Sequence, residues 1–260
     1  METKIKETKA FLFDLDGTLY LGDKLIDGVK ETLSIIRSKG IKVVYLTNNS
    51  SKTKKEYRKK LKKLGLFDNR DIIYSSLDAT VSYLNDNFSG EKVYAVATKK
   101  VVRFIKRKGI KISDHADVLV LAFDKEISYG KIVKANELLV KGAKYIATHP
   151  DKTCPTNDVY IPDAGSFIEL FKTSSGRVPD VIIGKPSTVM SDYIVKMLGL
   201  KREEITMVGD RLSTDIQFGI NAGFNTVLVY SGETDQTLYN VSPVKADIAL
   251  KDVNGLIDLI

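Results

Sequence analysis

Short apolar runs alternate with amphipathic stretches along most of the chain. Positions 9–13 read as a buried strand, apolar from Ala10 to Phe13, that turns abruptly polar at Asp14. Positions 28–39 place Val29, Leu33 and Ile36 at helical spacing and stop at Gly40. A second strand is expected at 41–46, ending in Thr47-Asn48-Asn49-Ser50, followed by a basic helix that ends near Gly65. A third strand at 71–74 and a helix at 77–87 continue the rhythm of a parallel α/β sheet.

The middle of the chain repeats this pattern. Strands are expected at 92–97, 118–122 and 144–147, with helices closing at Gly109 and spanning 128–140. Positions 148–163 show no period, and an irregular passage of that length tends to be functional or mobile. A helix at 164–172 leads into Thr173-Ser174-Ser175-Gly176-Arg177-Val178-Pro179, which reads as a turn-rich hinge. The last third returns to strands at 180–183, 205–208, 225–230 and 247–250, with helices at 188–198 and 212–221 and from 252 onward.

Composition narrows the class. The chain has 260 residues, 43% hydrophobic and 28% charged, as a folded globular protein requires. No stretch approaches the roughly 18 apolar residues of a spanning helix, and the first residues lack the apolar core of a signal peptide. A cytoplasmic location with no membrane partner is the expectation. Cys154 is the single cysteine, so no intrachain disulfide or cysteine-rich zinc site can form. Much of the net charge of +7 sits in the lysine-rich stretch 52–64. There Tyr57, Leu61 and Leu64 share one helical face and the lysines cover the rest, as on a solvated amphipathic helix. The stretch lacks the aromatic interleaving of a nucleic-acid platform, so no nucleic-acid partner is expected.

Ligands of open α/β sheets bind at the carboxyl ends of the strands. Collected there are Asp14 and Asp16 after the first strand, Thr47 and Asn48 after the second, Lys185 after the 180–183 strand, and Asp210 with Asp215 after the 205–208 strand. Taken singly, an aspartate or threonine after a strand is a helix cap or turn former, and Lys185 is a surface charge. Taken together, Asp14, Asp16 and Asp210 would repel one another unless a cation joins them. An oxygen-only set of this kind suits Mg²⁺.

Asp14-Leu15-Asp16-Gly17-Thr18, Thr47, Lys185 and Gly209-Asp210-Arg211-Leu212-Ser213-Thr214-Asp215 resemble, in order and spacing, the four motifs of the haloacid dehalogenase (HAD) superfamily in its phosphatase form. Gly17-Thr18-Leu19-Tyr20-Leu21-Gly22, Thr47-Asn48-Asn49-Ser50 and Ser174-Ser175-Gly176-Arg177-Val178-Pro179 with Gly184-Lys185-Pro186 resemble its NagD-like branch of 4-nitrophenylphosphatases and phosphoglycolate phosphatases. The resemblance implies an α/β fold, with a Rossmann-like parallel-sheet core at 1–78 and 181–260 and an inserted α/β cap at 79–180. It implies a Mg²⁺-dependent hydrolase of small phosphomonoesters, such as 4-nitrophenyl phosphate, phosphoglycolate, nucleotides or sugar phosphates.

In that family's scheme Asp14 is the nucleophile that becomes an aspartyl-phosphate, and Asp16 is the general acid and base. Lys185 neutralises Asp14 and a phosphoryl oxygen, and Thr47 and Asn48 bind phosphate. The metal is held by Asp14, the Asp16 carbonyl oxygen and Asp210, with Asp215 ordering its shell directly or through water. His149, Thr153 and Cys154 fall in the cap region that meets substrate. As residues, His149 reads as a hydrogen-bonded structural histidine and Cys154 as a small apolar filler. The expected partner is a small phosphorylated metabolite, and relatives' caps suggest a homodimer. Phosphoryl transfer to an acceptor other than water, and a phospho-ligand sensor without turnover, are the alternatives. The second would not need Asp16.

Overall fold

The computed structural model describes residues 5–156 and 159–260. Within these the chain divides into two compact units. One comprises Met1–Thr47, Lys54–Tyr74 and Lys185–Ile260; the other comprises Asn48–Thr53 and Ser75–Gly184.

The first unit is built on a six-stranded sheet. Its strands are β1 (Ala10–Phe13), β4 (Lys42–Thr47), β5 (Ile72–Ser75, whose last residue groups with the other unit), β13 (Ile205–Gly209), β14 (Asn225–Val229) and β15 (Ile248–Leu250). The spatial order is β15-β14-β13-β1-β4-β5. The pairs on either side of β1 are parallel, with Phe13 beside Val208 on one side and Tyr45 on the other. All four residues of β1 are buried. Its side chains alternate between faces, so Phe11 and Phe13 pack into one core cluster while Leu12 faces the other way. Continuous apolar runs are what a sheet covered on both faces demands. The chain steps outward from β1 to β4 and β5, then returns to its other side at β13. The order therefore reverses between β1 and β13, the place where open α/β sheets bind ligands.

Helix α1 (Val29–Ser38) buries Val29, Thr32, Leu33 and Ile36. Helix α2 (Lys54–Lys63) buries Tyr57 and Leu61, as the spacing predicted. Its basic side chains are partly tethered: Lys54 lies over the Tyr74 ring, Arg58 and Lys62 over Phe67, and Lys60 over Tyr20.

The second unit carries its own five-stranded sheet of parallel pairs. Its strands are β6 (Lys92–Val96), β7 (Lys111–Ile112), β8 (Val118–Leu121), β9 (Lys144–Ala147) and β12 (Val181–Ile182), in the order β12-β9-β8-β6-β7. Helices α3 (Ser76–Asn87), α4 (Lys99–Arg107), α5 (Tyr129–Val140) and α6 (Ala164–Ser175) accompany it. Its core joins Val96, Leu119, Leu121, Ala135, Leu139, Tyr145 and Phe171. Tyr145 and Phe171 meet edge to face at 6.4 Å.

Several elements differ from expectation. The passage 148–163 contains an antiparallel ribbon of β10 (Thr153–Pro155) and β11 (Tyr160–Pro162); positions 157–158 lie outside the described residues, as do positions 1–4. Helix α6 runs on to Ser175, so Thr173, Ser174 and Ser175 belong to it. Gly176 stops it in a left-handed conformation with φ of 73°. The expected helix at 212–221 starts as a wider π-type turn (Leu212–Ile216) before becoming helix α8 (Gln217–Ala222), which follows α7 (Thr188–Leu198). Further elements were not foreseen: the short hairpin of β2 (Tyr20–Leu21) and β3 (Lys24–Leu25), strand β7, a 3₁₀ turn at Arg202–Glu204, and helix α9 (Gln236–Val241). The final segment, expected as a helix, is a 3₁₀ helix (Val253–Leu259).

Candidate active site

The carboxyl ends of β1 and β13 lie side by side, because the Asp14 amide continues the ladder and donates to the Val208 carbonyl at 2.9 Å. That register places Asp14 and the Gly209-Asp210 turn at one sheet edge. Thr47, the last residue of β4, is buried at the same edge. Lys185 is the first residue of the unit's last segment, and its side chain is 2% exposed. Its Nζ donates to Oδ1 of Asp14 and to Oδ1 of Asp215, each at 2.6 Å.

Asp210 and Asp215 are held from several sides. Oδ2 of Asp210 accepts from the Glu233 amide at 2.7 Å, and Thr18 Oγ1 donates to Oδ1 at 3.3 Å. Oδ2 of Asp215 accepts from the Arg211 amide at 3.1 Å. Oxygen atoms of Asp14, Asp210 and Asp215 lie within 4.8 Å of one another. Room for the two buried carboxylates is made by glycines. A Cβ on Gly17 or Gly232 would stand 2.3 or 2.0 Å from Oδ2 of Asp210, and one on Gly209 would stand 2.3 Å from Cβ of Asp215. Gly17 also has φ of 94°, a conformation other residues rarely adopt.

Electrostatics follow from this crowding. Burial raises the Asp210 carboxyl above its ordinary range, and Asp215 and Asp14 push it the same way. Burial also raises Asp215; Lys185 opposes this and Asp14 adds to it. Burial alone would lower Lys185, but Asp14 and Asp215 outweigh it and hold the ammonium charged. Arg211 is likewise opposed by burial and held charged by Glu233, Asp14, Asp210 and Asp215.

Asp16 behaves differently from its neighbour two positions back. Its side chain is 52% exposed and stands apart from the group of three carboxylates. It sits on a turn closed by the Gly17 amide donating to the Tyr20 carbonyl at 2.8 Å. Lys60 Nζ lies 4.0 Å from its Oδ1.

The remaining predicted residues belong to the second unit. Asn48 donates from Nδ2 to both oxygens of Asp151 at 3.2 Å. The His149 ring is fully buried between two carboxylates. Nδ1 is 3.5 Å from Oδ2 of Asp151, and Nε2 is 3.5 Å from Oδ1 of Asp163. Asp163 is pushed up to about 6 by burial, with His149 pulling it back. Thr153 is exposed on the ribbon, and Cys154 is half-buried with Asn49 Nδ2 at 3.7 Å from its Sγ.

Two features escaped the reading of the sequence. Ser231, Gly232 and Glu233 follow β14 and complete the Asp210 surroundings, with Ser231 Oγ donating to the Gly17 carbonyl at 2.7 Å. The rule that ligands gather at strand ends covers that strand as well, so its end was open to inspection. Lys60 was hidden among neighbours that are solvated.

Comparisons with known proteins give the family. Residues 11–111 match the family described as haloacid dehalogenase-like hydrolase, and residues 182–256 match one described as HAD-hydrolase-like. An acid sugar phosphatase of Staphylococcus aureus is 32% identical over 97% of this chain and 98% of its own. Among solved structures, the 4-nitrophenylphosphatase of Thermotoga maritima is 36% identical, with a TM-score of 0.94 over 98% of both chains. NagD from Escherichia coli K-12 is 28% identical, with a TM-score of 0.89 over 97% of this chain and 99% of that one. With both sequence and fold shared over nearly the full length, the chain belongs to the haloacid dehalogenase-like hydrolases and is a phosphatase of their NagD-like, 4-nitrophenylphosphatase branch.

Proposed function

We propose that the protein hydrolyses small phosphomonoesters, sugar phosphates foremost, in a Mg²⁺-dependent reaction that passes through a phosphorylated Asp14. The observation that carries this reading is Lys185 bridging Asp14 and Asp215 beside Asp210, in a place where three carboxylates converge. Excess buried negative charge with hard oxygen donors fits a divalent cation such as Mg²⁺. Asp14, Asp210 and Asp215 would hold it, with the Asp16 carbonyl oxygen. When bound, the ion offsets negative charge on the phosphoryl oxygens.

This chain's residues then divide the work. An Asp14 oxygen attacks phosphorus in line with the leaving oxygen, and Asp16 gives that oxygen a proton as the ester bond breaks. Asp16 next takes a proton from the water that attacks phosphorus, which returns Asp14 and releases inorganic phosphate. Lys185 neutralises Asp14 and Asp215 and so lets an anionic substrate approach. The Thr47 hydroxyl and Asn48 amide donate to the phosphate. His149, Thr153 and Cys154 belong to the cap region, where substrate choice is made. A cytoplasmic enzyme and a homodimeric assembly complete the reading.

Sugar phosphates are placed first because relatives at 32% identity are named acid sugar phosphatases. Phosphate release from 4-nitrophenyl phosphate and from a panel of sugar phosphates, with Mg²⁺ and then with EDTA, tests the reaction. Turnover that survives EDTA would overturn the metal requirement. Beryllofluoride should add to the Asp14 carboxylate in a crystal; an adduct elsewhere would overturn the nucleophile.

A further inference from the structure

We propose that Lys60 is a positioning residue for Asp16, holding its carboxyl where the leaving group needs a proton. The inference rests on the assignment of Asp16 as general acid and base. Helix α2 is lysine-rich, and Lys59, Lys62 and Lys63 are exposed, whereas the Lys60 side chain is only 26% exposed. It is turned onto the turn that carries Asp16. Its Nζ lies 4.0 Å from Oδ1 of Asp16 and 3.9 Å from the centroid of the Tyr20 ring. Those two residues are the ends of one turn, pinned by the Gly17 amide on the Tyr20 carbonyl and by a β-bridge between Asp16 and Tyr20. One ammonium therefore stands within about 4 Å of both ends of the segment that presents the acid.

The physical need for such a contact is plain. Tyr20 is fully buried, but the Asp16 carboxyl is half exposed and lies outside the cluster that fixes its neighbours. Proton transfer needs the carboxyl in one rotamer. Lys60, anchored on the Tyr20 face, draws the carboxyl toward a single side, through the carbonyl dipole while the proton is on and more strongly once it has left. In the step concerned, the Asp14 oxygen–phosphorus bond forms and the ester phosphorus–oxygen bond breaks. The electron pair of the broken bond stays on the leaving oxygen, which takes the Asp16 proton.

Leaving-group chemistry gives the test. A 4-nitrophenolate leaves with little proton assistance, whereas an alkoxide from glycerol phosphate or a sugar phosphate needs it fully. Replacing Lys60 by Met keeps length and removes charge. With Mg²⁺ saturating, K60M should lose about two- to fivefold in kcat on the alkyl phosphate and almost nothing on 4-nitrophenyl phosphate, the range of one lost charged contact. KM should stay within twofold, and K60R should recover most of the loss, which a folding defect would not allow. D16N should show the same selectivity at larger size, and adding K60M to D16N should cost nothing more. A K60M loss that is equal on both substrates, or confined to KM, overturns the positioning role while D16N stays selective. Equal D16N losses on both substrates overturn the Asp16 assignment, and the Lys60 proposal with it.

Discussion

Lys185 donates from Nζ to Oδ1 of Asp215 at 2.6 Å, at the same distance as to Asp14. The lysine is thus shared between the nucleophile candidate and a second, fully buried carboxylate. A buried ammonium between two carboxylates is stabilising only while all three are present, because removing the cation leaves two negative charges, that of Asp215 fully buried, facing each other. We expect K185M to lose more than about a hundredfold in kcat and to destabilise the first unit by about 3–5 kcal/mol. Adding D215N should restore part of the stability and none of the turnover, read from urea midpoints alongside phosphate release. Full activity in K185M would remove the lysine from the chemistry.

The same crowding sets a pH dependence for metal binding. Asp210 and Asp215 are both raised above the ordinary carboxylate value, burial being the first cause in each. The folded, metal-free protein therefore holds protons that the unfolded chain has released. Its stability falls as pH rises from the ordinary carboxylate range through the raised values. A cation competes with those protons, so its affinity rises across the same window. The shift in thermal midpoint between EDTA and Mg²⁺ should be small near pH 5 and larger near pH 8. At a concentration of about 100 times Kd it would correspond to about 2.7 kcal/mol. D210N should flatten the dependence. An equal Mg²⁺ shift at both pH values would contradict it.

What could be read from the sequence, and what could not, divides along physical lines. The β1 run and its polar end were legible, since a strand covered on both faces must be apolar throughout and its end is marked by a change of polarity. Asp14, Thr47, Lys185 and Asp210 were legible as strand-end residues. The Lys185–Asp215 pairing was not, because no period relates two residues on different elements. The ribbon at Thr153–Pro155 and Tyr160–Pro162 left no trace, since each strand has three residues and little burial. Lys60 is chemically the same as its exposed neighbours, and only the direction in which the helix faces Tyr20 distinguishes it.

Gly232 offers a test of the Asp210 surroundings that changes no charged group. A Cβ there would stand 2.0 Å from Oδ2 and 2.5 Å from Cγ of Asp210, which is 2% exposed and already held by the Glu233 amide. The carboxylate must move for the methyl to fit. G232A should raise the Mg²⁺ concentration for half-maximal activity by about tenfold or more, as loss of ligand support does. Gly40 is the control: its φ is 74° with nothing near its Cβ, so G40A should cost stability through backbone strain alone and leave the Mg²⁺ titration unchanged. Identical titrations for G232A and the parent protein would show that Asp210 is not held in place for a metal.

In the second unit, Asp163 makes a separate prediction. Its carboxyl caps α6 by accepting from the Ala164 amide at 2.6 Å, and it lies 3.5 Å from His149. Burial raises it from 3.8 to about 6. The native state thus holds a proton that the unfolded state gives up, and stability falls as pH rises from about 4 to about 6, staying lower above that. A two-unit rise corresponds to a ceiling of about 3 kcal/mol. Asparagine keeps the size and is an equally good cap, but cannot ionise. D163N should therefore gain stability on the parent protein between pH 4.5 and pH 7, with no change in their difference above that. Urea midpoints measured at both pH values decide the matter. Parallel pH profiles for the two proteins would mean that Asp163 is already ionised at pH 4.5, with His149 compensating its burial.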